Sequence, residues 1–599
     1  MESRHVAHED HEDHVAEFGP AAEPAAAPRA RKTSRRSVLA AAAAGLAGWT
    51  PLSRISAAAA ATPTPPNFPA AIPLYRQAYE NWSGEIAVDD VWTAAPASPA
   101  DVVTIANWAH ANGYRIRARG SGHNWSPLTL PAGSQGAGVV LVDTTEHLTA
   151  VTVAAGSPAT VRTQTGVTME TLLTRLETAG YGLTATPAPG DLTVGGVLAI
   201  GGHGTAIPAT GETPVAGTTY GSLSNLIVSF TAVVWDSSAN AYALRTFSRS
   251  EAASKAFLTH LGRAFLTEVV LQVGANQRLR CQSWFDIPWT QLFAAPGSGA
   301  TRTFASYAES AGRVEAIWFP FTDNPWLKVW SRSPSRPLLS RTVNSPYNYG
   351  FSDNLPKQAT DLIAQIIAGN GSLTPTFGQT QIALVGTGLI TTATYDIWGW
   401  SKNLLLYVRP TTLRVTANGY AILTSRANIQ RVVNEFCTYY RSRLTAYQDQ
   451  GRYPMNGPVE IRVTGLDATG DVGVTSAGSP QLSAVRPRPD HSDWDVAVWL
   501  DILTVPGTPY SNQFFREVEA WIFGNFSGNY AAVRPEWSKG WAYTTTAAWA
   551  DGPTIGTTIP NAYRAGQPAA DNWDTARSTL NSFDPHRIFT TPLLDALVP

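Results

Sequence analysis

The stretch Pro458-Val459-Glu460-Ile461-Arg462-Val463-Thr464-Gly465 alternates apolar and polar residues with period two. Glu460 and Arg462 therefore share one strand face, roughly 7 Å apart at Cα, while Val459, Ile461 and Val463 face a core. A second stretch, Arg313-Val314-Glu315-Ala316-Ile317-Trp318-Phe319, sets Glu315 among apolar neighbours. An exposed ion pair on a strand contributes only about 0 to 1 kcal/mol and is the ordinary reading of such residues. Against it stands the scarcity of charge, 15% of the chain. Two carboxylates and an arginine on neighbouring strands suit acid–base work on an alcohol. A carboxylate between apolar walls has its pKa raised toward a general-base value, and an arginine stabilises charge developing on oxygen or on a reduced cofactor. Such a carboxylate can also carry a proton between two carbons of an apolar substrate.

Two glycine clusters supply a different chemistry. Arg119-Gly120-Ser121-Gly122-His123-Asn124-Trp125 follows a predicted strand, and its glycines let successive N–H groups converge on an anion such as a pyrophosphate. Pro189-Gly190-Asp191-Leu192-Thr193-Val194-Gly195-Gly196, continuing to Gly201-Gly202-His203-Gly204, allows close backbone approach to a flat ligand or its phosphates. Either loop alone is a weak signal; both in one domain are specific. No G-x-G-x-x-G opens a helix and no Gly-Lys-Ser/Thr is present, which argues against NAD and ATP.

These residues need a frame. At roughly 100 to 200 residues per domain, 599 residues allow two to four domains. Lys+Arg (43) nearly cancels Asp+Glu (45), so no basic field is available for nucleic acid. Cys281 and Cys437, the two cysteines, exclude a disulfide framework, leaving one possible pair or two buried thiols, and no metal is expected. Ser34-Arg35-Arg36-Ser37-Val38-Leu39 and the alanine-rich run after it read as a twin-arginine export leader cleaved near Ala61, which implies a secreted or extracytoplasmic protein. His5, His8, His11 and His14 precede the cut. Residues 63 to 73 read as a linker. Residues 62–280 form an α+β unit, with helices over 101–113 and 168–180 and short strands over 114–118 and 138–142. From 281 to 545 longer strands dominate (314–321, 326–331, 459–464, 496–505), interrupted by two helices, 357–368 and 428–447. Residues 546–599 return to the first unit.

The paired glycine loops resemble the flavin domain of the vanillyl-alcohol-oxidase family, in which the first loop carries the FAD pyrophosphate and its histidine is often bonded to the flavin 8α carbon. The resemblance implies a two-domain α+β flavoprotein with a cap domain on a large antiparallel sheet. It implies FAD linked covalently through His123 and held by Arg119, Gly120, Ser121, Gly122, Asn124, Gly190, Asp191, Thr193, Val194, Gly196, Gly202, His203, Gly204, Gly221 and Leu266. With no cysteine from 185 to 205, a single histidyl link is implied. Phe583-Asp584-Pro585-His586-Arg587-Ile588-Phe589 resembles the closing motif of that family. Within it, Val314 to Phe321, Pro458 to Asp467 and Val533 to Trp541 are similar to the type II cholesterol oxidases. Glu460 and Arg462 match the glutamate–arginine pair beside the flavin, and Glu315 takes the oxygen-gating role, with Glu309 the nearby alternative. Glu536 stands where polyol oxidases have a histidine, and Lys539 is a partner for the flavin pyrimidine ring.

The resemblance thus implies an exported, monomeric oxidase of a sterol 3β-hydroxyl. Such an enzyme reduces O2 to H2O2, isomerises its product to the 4-en-3-one, and touches the membranes that supply sterol. The rival reading is a sugar, alditol or aldonolactone oxidase of the same fold; a binding protein on a degenerate flavin scaffold is the third.

Overall fold

The protein was analysed as a computed structural model, which describes residues 63–350 and 355–599. The export leader and the histidine tract lie outside the described residues. The 63–73 stretch is not a free linker: Trp92 and Trp108 donate their indole N–H groups to the carbonyls of Pro63 and Pro66, and Phe68 packs edge-on against Trp108.

Three sheets carry the chain. In the first, β1 (Leu74–Glu80), β2 (Ala87–Ala94), β3 (Arg115–Arg119) and β4 (Val139–Asp143) lie in the order β1-β2-β4-β3, with β4 parallel to both β2 and β3. Helix Pro99–Asn112 packs on it through Val102, Ile105, Ala106, Trp108 and Ala109. That helix starts at a capping box, Ser98 with Asp101, and stops at Gly113 with φ +69°. The second sheet joins β5 (Val151–Ala154), β6 (Ala159–Gln164), β7 (Tyr181–Gly182), β8 (Ile227–Asp236), β9 (Ala241–Ser248) and β10 (Phe265–Ala275). Its order is β5-β6-β10-β8-β9, with β7 on the end of β10.

The third sheet begins three residues later with β11 (Arg278–Trp284). It adds β12 (Arg313–Trp318), β13 (Trp326–Arg332), β14 (Arg341–Thr342), β15 (Asp396–Trp400), β16 (Thr416–Thr424), β17 (Val459–Gly465), β18 (Val496–Thr504) and β19 (Ala532–Pro535). The order is β14-β15-β11-β13-β12-β17-β18-β16-β19, antiparallel except for β14 and β15. The long helix Ile429–Gln448 buries Val432, Val433, Phe436 and Tyr440, one apolar stripe at helical spacing, against it.

One expectation changes. The 281–545 region holds more than two helices: Phe304–Ala311, Thr374–Thr391 and Ser511–Asn525 join the pair foreseen. Thr374–Thr391 escapes sequence reading because its close contacts are made by glycines. A Cβ on Gly378 would lie 2.2 Å from the Pro320 carbonyl, and one on Gly386 3.2 Å from Phe285. Of the two alternatives for Cys281 and Cys437, the structure has two buried thiols, both free. Among the described residues no helix is long and apolar enough to cross a membrane.

The C-terminal stretch enters the first core. Ile588 and Phe589 pack with Val102, Ile105 and Val140, and the Ile116 N–H donates to the Ile588 carbonyl (2.9 Å). Asp584 fixes this turn by accepting from Arg263 (2.6 Å), Tyr242 (2.6 Å) and the N–H groups of Ile588 and Phe589. Arg263 and Asp584 are both buried, and a buried pair with this many bonds sets register more than it adds stability.

Candidate active site: two cavities that meet at His123

The first cavity, about 160 Å³, opens where β3 runs into the glycine loop. Arg119, Gly120, Ser121, Gly122, His123 and Asn124 line one side and Thr193, Gly196, His260 and Leu266 the other. Gly122 has φ +74°, and a Cβ on Gly120 would sit 2.4 Å from the Thr193 hydroxyl. Thr193 is thereby held as the N-cap of the short helix Val194–Ala199, its oxygen accepting from the Gly196 N–H. Among the described residues no carboxylate lines this cavity. Two arginines do: Arg117, whose guanidinium donates to the carbonyls of Gly262, Phe589 and Leu128, and Arg119, whose Nη1 is buried without a partner among the described residues. Glycine N–H groups, one buried guanidinium nitrogen of Arg119 without an acceptor and no competing carboxylate in the lining together suit a phosphate-bearing ligand.

His123 lines this cavity and the next. Its ring stacks on Trp82 at 3.9 Å and meets Trp125 edge-on, and its Nδ1 is buried without a partner. Burial, reinforced by Arg414 and Lys539, pulls its pKa to about 3, so the imidazole is neutral and nucleophilic at neutral pH.

The second cavity, about 320 Å³, is walled by Ile317, Phe319, Trp326, Tyr349, Phe377 and Val385 on one side and by Gly202, His203, Gly204 and Trp499 on another. His203 stacks flat on Trp499 at 3.6 Å, and burial lowers its pKa to about 3. A charged cluster is set into this apolar wall. Strand register brings it together, since Glu315 on β12 faces Arg462 on β17, and Glu460 on β17 faces Asp501 on β18. Arg462 donates from Nε to Glu315 (2.8 Å), from Nη1 to Asp501 (2.7 Å) and from Nη2 to Glu460. Lys328 on β13 reaches Glu315 at 3.1 Å, and the Tyr407 hydroxyl donates to the same carboxylate. Lys539 bonds Asp501 at 2.5 Å and lies 3.4 Å from Glu536.

Four carboxylates (Glu315, Glu460, Asp501, Glu536) thus share three cations (Arg462, Lys328, Lys539), and one proton would balance the cluster. Burial alone would raise Glu315, but Lys328 and Arg462 overcome it and hold its carboxyl at about 2. Burial, together with the Glu315 and Asp501 charges, raises Glu460 in spite of Arg462. Asp501 rises to about 6, again chiefly through burial. Glu460 and Asp501 are thus the carboxyls held above their ordinary range, and Glu460 is the one that faces the cavity. Arg462 stays cationic, its pKa raised because three carboxylates outweigh its burial.

Glu460, Arg462, Glu315 and Lys539 thus converge, whereas Glu309 is exposed on its helix and takes no part. Four residues expected at the cofactor line neither cavity: Gly190, Asp191, Val194 and Gly221. Gly190 presents its carbonyl to the Glu170 N–H, Val194 is turned into the core, and Gly221 is glycine because a Cβ would meet Asp467 at 2.4 Å. Sequence reading missed Asp501, Lys328 and Tyr407. A signal existed for two of them, since Asp501 and Lys328 are the lone charges in the apolar strands VAVWLDILT and WLKVWSR up to its final arginine.

A glycine-cradled anion cavity opening at a histidine onto an apolar cavity with a buried carboxylate–arginine cluster defines a flavin-dependent oxidase. Comparison with known proteins agrees. Residues 92–237 match the family model of an FAD binding domain, and residues 278–599 match that of the cholesterol oxidase substrate-binding domain. A solvent-stable cholesterol oxidase is similar at 63% identity, TM-score 0.89, over 90% of this chain and 100% of that one. The cholesterol oxidase from Brevibacterium sterolicum is similar at 48%, TM-score 0.88, over 90% and 99%, as is a histidine-to-alanine mutant of it over 90% and 100%. A search of curated proteins found no match. The chain belongs to the cholesterol oxidase family of FAD-binding flavoproteins, and it is an FAD-dependent sterol oxidase acting on a hydroxyl group.

Proposed function

We propose that the mature protein is exported, works as a monomer, carries FAD covalently through His123, and oxidises the 3β-hydroxyl of a cholesterol-type sterol with O2 as acceptor, isomerising the product to the 4-en-3-one. The observation that carries the reading is the raised, cavity-facing Glu460 bonded to Arg462 in the same apolar cavity that His123 lines. The residues fit the cofactor: the glycine loop and Arg119 suit its pyrophosphate, and the unpartnered His123 Nδ1 is a free nucleophile. FAD supplies a hydride acceptor that oxygen can regenerate, yielding peroxide. Glu460 takes the hydroxyl proton as hydride leaves C3, so the alcohol becomes a ketone, and Arg462 stabilises the developing alkoxide. The hydroxyl proton leaves Glu460 with the reduction of oxygen to peroxide, and the freed carboxylate then takes a proton from C4 and delivers that same proton to C6 as the double bond shifts. The aromatic and aliphatic wall suits a steroid ring system and offers a polyol few partners. Domain limits of 62–280 and 281–545, with 546–599 returning, are part of this proposal; the change of sheet between β10 and β11 supports the first limit.

The test is the absorbance of the acid-precipitated holoenzyme together with turnover on cholesterol and on xylitol. Retained yellow colour and peroxide from cholesterol alone are expected. A colourless pellet refutes the His123 link, and turnover of xylitol instead refutes the sterol reading.

A further inference from the structure

Leu338 and Leu339 stand 90% and 82% exposed, the most exposed large apolar side chains among the described residues, and they are adjacent in sequence. A lone exposed leucine needs no explanation; a tandem pair presented this fully is an open apolar tip. Its surroundings are also biased. From 324 to 352 the sequence contains Lys328, Arg332, Arg336 and Arg341 and no carboxylate. Lys328 is buried, whereas the three arginines are exposed around the tip. Ser340 anchors the tip by donating to Asp396 (2.8 Å), and Arg341 donates to the Thr392 carbonyl. Those bonds set it beside the 390–396 turn, where Ile390 (63%) and Tyr395 (49%) are exposed as well. Between Asp361 and Asp396 no residue is charged.

Both segments lead into the apolar cavity. Downstream of the tip, Val343 is buried and Tyr349 and Leu355 line the cavity; upstream of the turn, helix Thr374–Thr391 lines it with Phe377, Gln381, Leu384 and Val385. Glu212, beside Arg332, and Asp396, beside Ser340, have side chains only 7% exposed, and an apolar tip flanked by arginines with its nearby carboxylates buried matches a bilayer surface, where leucine enters the acyl boundary and arginine meets anionic headgroups. We infer that the Leu338–Leu339 tip, with Ile390 and Tyr395, is the surface by which this protein docks on a phospholipid bilayer carrying its substrate. This rests on the sterol reading above, because only a substrate dissolved in lipid gives such a surface a use.

The test uses the holoenzyme, phosphatidylcholine vesicles containing phosphatidylglycerol and cholesterol, and cholesterol carried in cyclodextrin as the lipid-free form. In the double variant Leu338→Ser/Leu339→Ser, vesicle co-sedimentation and kcat/KM on vesicle cholesterol should each fall by about tenfold or more. With cyclodextrin-carried cholesterol kcat/KM should stay within about twofold, and Leu244→Ser, an exposed leucine elsewhere, should bind vesicles as the parent does. Unchanged vesicle binding by the double variant overturns the docking surface. An equal loss of kcat/KM on both forms of cholesterol also overturns it, the loop then shaping the cavity and not a surface. Conversion of a dimer to a monomer by the double substitution overturns it too, assigning the tip to a second copy. Failure of the parent enzyme on both forms instead refutes the sterol reading.

Discussion

The two cavities solve different problems with different parts of the chain. The first is built largely from backbone at its glycines, with a threonine cap and two arginines and, among the described residues, no carboxylate in its lining. The second is built from side chains, seven ionisable groups compensating one another inside an aromatic and aliphatic wall. A backbone site binds an anion whatever its neighbours' protonation states. A side-chain cluster responds as a unit, since each buried charge is tolerable only while its partners are in place.

The largest contrast comes from Arg462→Ala. It should slow reduction of bound flavin by about 100- to 1,000-fold, measured by stopped flow without oxygen. It removes a cation bonded to three carboxylates and leaves Glu460 with no ion-pair partner among the described residues, so it should also cost on the order of 3 to 5 kcal/mol in chemical denaturation. That joint loss departs from what the strand pattern alone suggests, namely a large loss of turnover with little loss of stability. A reduction rate within threefold of the parent would remove Arg462 from the active site.

Gly419→Ala tests the same cluster without touching a charge. Gly419 pairs with Asp501 across β16 and β18, and a Cβ there would fall 2.7 Å from Asp501, 2.8 Å from Lys539 and 2.9 Å from Glu536. Turnover should drop by about tenfold and stability by about 1 to 3 kcal/mol, with FAD content unchanged. Full turnover would show that the cluster tolerates displacement.

The first cavity should fail differently. Gly120→Ala pushes against Thr193, so purified protein should carry less FAD by the ratio of flavin to protein absorbance, while kcat per bound flavin stays within about twofold. His123→Ala should fold and bind FAD yet release it on denaturation, with turnover lower by on the order of tenfold. Flavin still attached in that variant would move the link to His203.

The smallest effect is on acid stability. His203 and His260 have folded pKa values near 3 through burial, below the usual value of about 6.5, so the unfolded chain binds more protons between those limits. Their contribution is intact above about pH 6.5 and is lost as pH falls toward 3. Asp467 and Asp501, raised to about 6, act in the opposite sense between roughly 3.8 and 6. His260→Gln should therefore recover about 2 kcal/mol of the stability lost between pH 7 and 5, read from urea midpoints. An unchanged pH slope would mean that His260 titrates normally.

Much of the first cavity was legible because its determinants are local. Positive-φ glycines, an N-cap threonine and the histidine between them lie within short stretches of chain, and a short stretch suffices to recognise them. Even so, Gly190, Asp191, Val194 and Gly221 carry the same local signature and line neither cavity, a distinction the signature does not contain. Helix Thr374–Thr391 was illegible for a related reason, its glycines being set by contacts to Pro320 and Phe285.

By itself the sequence determined the glycine cradle, the place of His123, and the shared face of Glu460 and Arg462, because backbone freedom and strand alternation act over a few residues. Tertiary structure alone decided which carboxylate meets Arg462. Glu315 lies 147 positions away and arrives through the β12–β17 register, while Glu309, six residues before it, remains in solvent. It also decided that Asp501, Lys328 and Tyr407 belong to the cluster. Their charges reach one another only when four strands and a loop are laid side by side, and register between distant strands is fixed by packing of the whole sheet, not by the pattern within any strand.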